Sequence, residues 1–170
     1  MGKDSSLSCV ASCVNFHTVD ESQVTRIARS FGFLNLTINT PPGAQQTFTG
    51  ECLFSRDIVV SKLTRHTHQW GTDFRVFQAG GENDGQELFV SRDYEDVDHQ
   101  FEEPVLMKAG TGFRFSCSYL NTEAYPLRFG VKATDEMCIL FGTWWAPEVP
   151  DEIPGQGCLL SQIDEDGVAR

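Results

Sequence analysis

The chain has 170 residues, a formal net charge of −11, and 40% hydrophobic and 22% charged residues. That length suits one domain with a full hydrophobic core, and the composition is ordinary for a globular protein, which excludes gross disorder. No basic stripe is present to meet a phosphate backbone, which argues against nucleic acid as a partner, and no apolar run reaches the length of a membrane span.

In chain order the pattern is β. Residues 1–25 are polar, lack a positive-then-apolar signal pattern, and read as a leader or linker, with one short helix expected around 20–30. Strand-like segments follow at 33–38, 46–54, 58–68, 73–78, 87–92, 105–108, 112–120 and 137–146. Pro41-Pro42-Gly43, the cluster Gly80-Gly81-Glu82-Asn83-Asp84-Gly85, and turns at 108–112 and 121–126 separate them. About eight to nine short strands without repeated amphipathic helices predict an all-β fold, an antiparallel jelly-roll β-sandwich. The sandwich is expected over 26–160. The segment after Pro147, rich in Pro, Asp, Glu and Gly, reads as loop held only at Cys158, with a flexible tail at 161–170.

The chain carries 6 cysteines. An even count without a Cys-x-x-Cys pair reads as disulfides formed in a secreted, periplasmic or other oxidising compartment, rather than as a zinc cluster. Buried free thiols are the alternative, and number alone does not pair the cysteines.

His66-Thr67-His68 is the motif that carries chemistry. On a strand, side chains at i and i+2 leave the same face, so both imidazoles can reach one metal ion. Strict alternation over 58–68 puts Ile58, Val60, Lys62, Thr64, His66 and His68 on one face and Val59, Leu63 and Thr67 on the other. On the last strand Met137, Ile139, Phe141, Thr143 and Trp145 share a face. A lone methionine on a strand is ordinarily core filler, and a lone His-x-His ordinarily exposed and unliganded. Two imidazoles plus one thioether instead suit copper, above all the monovalent ion, and leave a position open.

The surroundings of these residues form a larger pattern. Arg65-His66-Thr67-His68-Gln69-Trp70-Gly71, then Leu106-Met107-Lys108-Ala109-Gly110 leading to Cys117-Ser118-Tyr119, then Asp135-Glu136-Met137-Cys138 appear in that order. The chain over about 30–160 resembles the C-terminal domain of copper type II, ascorbate-dependent monooxygenases, the family of peptidylglycine α-hydroxylating and dopamine β-monooxygenases. The resemblance implies a jelly-roll β-sandwich with one copper ion on His66, His68 and Met137, and disulfides Cys52–Cys158 and Cys117–Cys138. It also implies hydroxylation of a C–H bond with dioxygen, ascorbate as external reductant, and electrons supplied by a partner copper domain or protein.

Two departures qualify it. The family's electron-supplying copper sits on histidines of a second domain, and only His17 and His99 remain here once the first site is built. The peptide-amidating branch carries an arginine, an asparagine and a tyrosine where this chain has Thr64, Ile139 and Phe141, which disfavours a peptide carboxylate as substrate. A non-catalytic copper module for electron transfer or copper delivery is the alternative, and a disulfide-stapled recognition sandwich with vestigial copper residues is the third reading.

Cys9, Cys13 and His17 are spaced like the dinuclear copper loop of cytochrome oxidase subunit II. Asp20 stands where that loop needs a methionine, so a local Cys9–Cys13 disulfide or a metal-free polar linker is expected. His99, in an acidic stretch, is expected to be a solvated loop histidine. Asn35-Leu36-Thr37 fits a glycosylation acceptor. Trp144, Trp145, Phe113 and Phe115 are core candidates first.

Overall fold

Alternation builds the core. In β8 (Gly112–Leu120), Phe113, Phe115, Cys117 and Tyr119 point one way and are fully buried, while Arg114, Ser116 and Ser118 point the other. In β1 (Arg29–Asn35), Phe31, Phe33 and Asn35 face inward in the same manner. Phe31 meets Phe54 and Phe113 with ring centroids 5.5 and 5.8 Å apart, and Phe74 stacks on Phe115. Each such ring contributes about 1.5–3 kcal/mol by leaving water.

The computed structural model describes residues 17–93, 95–147 and 156–170. Cys9 and Cys13 lie outside these, and so does any bond between them. The remaining strands are β2 (Asn39–Thr40), β3 (Gln45–Leu53), β4 (Ile58–His66), β5 (Gly71–Ala79), β6 (Glu87–Ser91), β7 (Asp98–Met107), β9 (Leu127–Arg128), β10 (Ile139–Trp145), β11 (Gln156–Leu160) and β12 (Val168–Ala169). One five-stranded sheet runs β11-β1-β10-β4-β7 and the other β12-β3-β8-β5-β6; β2 and β9 pair separately. The all-β sandwich is therefore as expected. Its sheets are mixed at the edges, where β11 joins β1 and β12 joins β3 in parallel.

Cys52 of β3 bonds Cys158 of β11, and Cys117 of β8 bonds Cys138 just before β10. Each bridge joins one sheet to the other, and both pairings are those the resemblance implied. Close packing leaves Gly142 no alternative. A Cβ there would lie 2.3 Å from the Phe31 ring and 2.8 Å from the Lys62 carbonyl oxygen.

Several expectations are corrected. The helix around 20–30 is only a 3₁₀ turn at Glu21–Gln23, capped by Asp20, and β1 begins by Arg29. β7 extends far upstream of 105–108, through Glu102, Glu103 and Pro104. These residues fall where pairing with β4 jumps register, which is where a strand tolerates a proline lacking its N–H. The segment after Pro147 is held by more than Cys158, because β11 pairs with β1 over its whole length. The tail expected to be flexible carries β12, with Ala169 only 1% exposed.

Strict alternation fails within β4. Val60 and Lys62 pair with the consecutive residues Trp144 and Thr143 of β10, so Ser61 is an extra residue in the ladder. This bulge reverses the side-chain phase. Ile58 and Val60 face the core together with Leu63 and Arg65, while Lys62, Thr64 and His66 lie on the outer face. Ile58 and Val60 therefore do not share a face with His66.

Asn35 is fully buried and its Oδ1 accepts from the Thr37 backbone N–H and hydroxyl. A glycan has no room at this asparagine. His99 belongs to β7, opposite Leu63, with its ring 5.4 Å from Phe89 and 4.8 Å from Phe101. It is half-buried between aromatics rather than a solvated loop residue, because the edge strands β6 and β7 bring both phenylalanines to it.

Candidate metal centre

His66 ends β4 and His68 lies in the short connection to β5. Their ring centroids are 5.3 Å apart and the rings stand at 88°, both half-buried. His68 Nδ1 lies 2.8 Å from the Asp135 carbonyl oxygen. An Nδ1–H donating to that carbonyl leaves Nε2 with its lone pair free, the tautomer a metal ligand needs. Burial, and then the neighbouring His68 and Arg65 charges, hold His66 below the ordinary imidazole value.

The Asp135–Met137 segment reaches the histidines through a self-contained loop. Asp135 N donates to the Lys132 carbonyl, and Lys132 N to the Asp135 carboxylate, which closes the turn. Glu136 N donates to the Arg128 carbonyl and Gly130 N to the Glu136 carbonyl, which ties the loop to β9. Beyond it, β10 enters its sheet with Ile139 directly opposite His66.

Glu136 is wholly buried, and its carboxylate accepts three backbone N–H groups. Oε2 takes those of His68 at 2.9 Å and Met137 at 3.1 Å, and Oε1 takes that of Trp70 at 2.9 Å. Burial pushes this carboxyl up from its ordinary range, against the pull of the three amides and of His68. Tyr119, also buried, donates its hydroxyl to the Met137 carbonyl at 2.7 Å, and burial followed by the nearby Glu136 charge raises its phenol well above the ordinary value. Cys138 is fixed to Cys117. Met137 thus lies between a three-amide clamp and a disulfide.

On the core side of β4, Arg65 is buried and donates to the Ser91 hydroxyl, to the Asp96 and Asp93 carbonyls, and to Thr67 Oγ1. Thr67 packs against Gly71, where a Cβ would come within 2.4 Å of Thr67 Oγ1. Only glycine lets β5 begin this close to the histidine connection.

The outer face beside His66 is apolar. Leu159, Leu34, Ile139 and His66 lie in one cross-strand row, and Gly157, Gly32, Phe141 and Thr64 in the next. Phe141 is 39% exposed, with its ring centroid 6.4 Å from that of His66. Lys62 on this face is paired with Asp98 at 2.7 Å. A concavity of about 370 Å³ is lined by His68, Gln69, Val131 and Ala133.

One Glu136 oxygen accepts from the backbone N–H of both His68 and Met137, which sets the Met137 segment beside the histidine connection, while His99 lies between Phe89 and Phe101. His17 is exposed and outside every strand. Among the described residues no group of three or more His, Cys, Asp or Glu converges as a metal cage. A two-histidine site completed by a thioether is of a different composition. The sequence reading assigned no role to Glu136, Asp135 or Thr67. Glu136 carried one signal, a charged residue two positions before a cysteine and three before an apolar strand, where only a strongly paired carboxylate is stable.

The chain is thus a disulfide-stapled β-sandwich with a histidine pair beside a methionine segment. Residues 39–165 match the family described as copper type II ascorbate-dependent monooxygenase, C-terminal domain, and the chain belongs to that family. No curated protein matches the chain.

Proposed function

We propose that this domain holds one copper ion on His66, His68 and Met137 and hydroxylates a C–H bond with dioxygen, taking electrons from a partner copper domain or protein that ascorbate reduces. The observation that carries the reading is the orthogonal imidazole pair, with His68 Nδ1 engaged by the Asp135 carbonyl and its Nε2 free. The donor set fits: imidazoles hold either oxidation state, and a weak thioether favours the monovalent one. Copper bound there would supply one-electron redox chemistry with dioxygen.

The chain's own residues do the rest. His66 stays neutral through burial and so offers its lone pair without proton competition near neutral pH. Arg65 and Thr67 brace the histidine connection from the core side. Ile139 and Phe141 give the outer face beside His66 an apolar surface that receives the uncharged part of a substrate and limits water. That surface, with Thr64 where the peptide-amidating branch has its arginine, supports a substrate not held through a carboxylate. The two inter-sheet disulfides and the family support an oxidising compartment as the place of work. No described helix is long and apolar enough to cross a membrane.

X-ray absorption on the copper(I)-loaded chain tests the site. Two imidazoles and one sulfur are expected, the sulfur absent in Met137→Ala and copper binding weakened at least about tenfold in His66→Ala and His68→Ala. Oxygen uptake with ascorbate, an electron donor and candidate amines or peptides tests the reaction. Uptake no faster than that of free copper would replace the enzyme with a copper-transfer module.

A further inference from the structure

We propose that Glu136 is the positioning residue that keeps the Met137 sulfur donor in register with the histidine pair, a role that rests on the copper ligands proposed above. The two ligand segments come from distant parts of the chain, and their geometry depends on what joins them. The Asp135 carbonyl touches one histidine ring, and Tyr119 and the Cys117–Cys138 bridge hold the methionine segment to the opposite sheet. Among the described residues, Glu136 alone bonds the backbone of both segments with one side chain. Its Oε2 is shared between the amides of His68 and Met137, so the ligand on each segment is fixed through the same oxygen. Oε1 adds the amide of Trp70 and so fixes the far end of the histidine connection.

The chemistry requires a carboxylate at this point. Three N–H donors converge on one buried side chain, and only two oxygens bearing four lone pairs satisfy them all. A glutamine in the same volume would turn an NH₂ group toward at least one of those donors. An alanine would leave all three amides buried without acceptors and untie the two segments. His66 sits in the β4 ladder outside this clamp, whereas His68 and Met137 share it, so loss of Glu136 leaves the His66 nitrogen in place and loosens the sulfur together with the His68 nitrogen.

The experiment is X-ray absorption on the copper(I)-loaded full chain, comparing wild type, Glu136→Gln and Glu136→Ala with Met137→Ala as the sulfur-free reference. The expected result is a reduced sulfur contribution in Glu136→Gln and its loss in Glu136→Ala, with the His66 imidazole scattering retained in both. Full sulfur amplitude at unchanged distance in both variants would overturn the role. A wild type indistinguishable from Met137→Ala overturns the ligand set itself, which separates the two failures. Should the variants not fold, amide exchange on the metal-free wild type carries the test. The His68, Trp70 and Met137 amides are expected to exchange as slowly as those in β8, and exchange at loop rates would overturn the clamp.

Discussion

Arg65 donates from its Nη1 to Thr67 Oγ1 at 2.9 Å, reaching around from the core face of β4 to the residue between the two histidines. The same guanidinium satisfies the Ser91 hydroxyl and the Asp93 and Asp96 carbonyls. Replacing it with methionine keeps most of the volume and strands those acceptors. Arg65→Met is expected to lower stability by about 2–3 kcal/mol in urea unfolding and to weaken copper binding at least about tenfold. Unchanged values for both would mean the guanidinium is a passenger.

The pH dependence of the metal-free protein follows from His66. Its folded value lies below the ordinary 6.5, chiefly through burial. Between those two values the unfolded chain binds the proton and the folded chain does not, so lowering the pH favours unfolding. The contribution is complete above the unfolded value and is lost as pH falls through the folded one. Melting temperature is expected to fall between about pH 7 and pH 5, and His66→Gln to flatten part of that slope. Superimposable pH profiles would refute the assignment.

The Cys52–Cys158 bridge spans 106 residues of sequence. In the chain-entropy account, closing a loop of that length is worth about 4–5 kcal/mol. Cys52→Ala/Cys158→Ala is expected to lose much of this in denaturant titration and to free β11 at its edge of the sheet, read as faster amide exchange at Leu159 and Leu160. Slow exchange there would show that pairing with β1 suffices.

Asn35 supplies a sharper sequence test. Its side chain is fully buried and its Oδ1 is committed to Thr37. Folded protein secreted from a eukaryotic host is expected to carry no glycan at Asn35, as peptide mass spectrometry would read. Quantitative occupancy would contradict the burial.

The parts of the fold governed by period two were legible from residues alone. β8 alternates buried aromatics with polar residues without interruption, and β3, β5 and β10 read nearly as well. β7 was hidden because Glu102, Glu103 and Pro104 look like loop, and only the neighbouring β4 ladder makes them strand. Ser61 gives no local sign that it is an extra residue, since its status depends on its partners in β10. At the candidate site, spacing singles out His66 and His68, and Met137 is singled out by its surrounding motif. Glu136 is not, because the amides it gathers lie 66 and 68 residues away in sequence as well as next door.

The irregularity at Ser61 has a consequence for how this strand tolerates change. Ser61 has no ladder partner of its own in β10, so deleting it would set Val60 and Lys62 in plain alternation opposite Trp144 and Thr143, with Leu63 and Arg65 still inward and His66 still outward. The spare residue thus makes the stretch between Val60 and Lys62 a place where β4 can lose one codon and still present His66 on the same side.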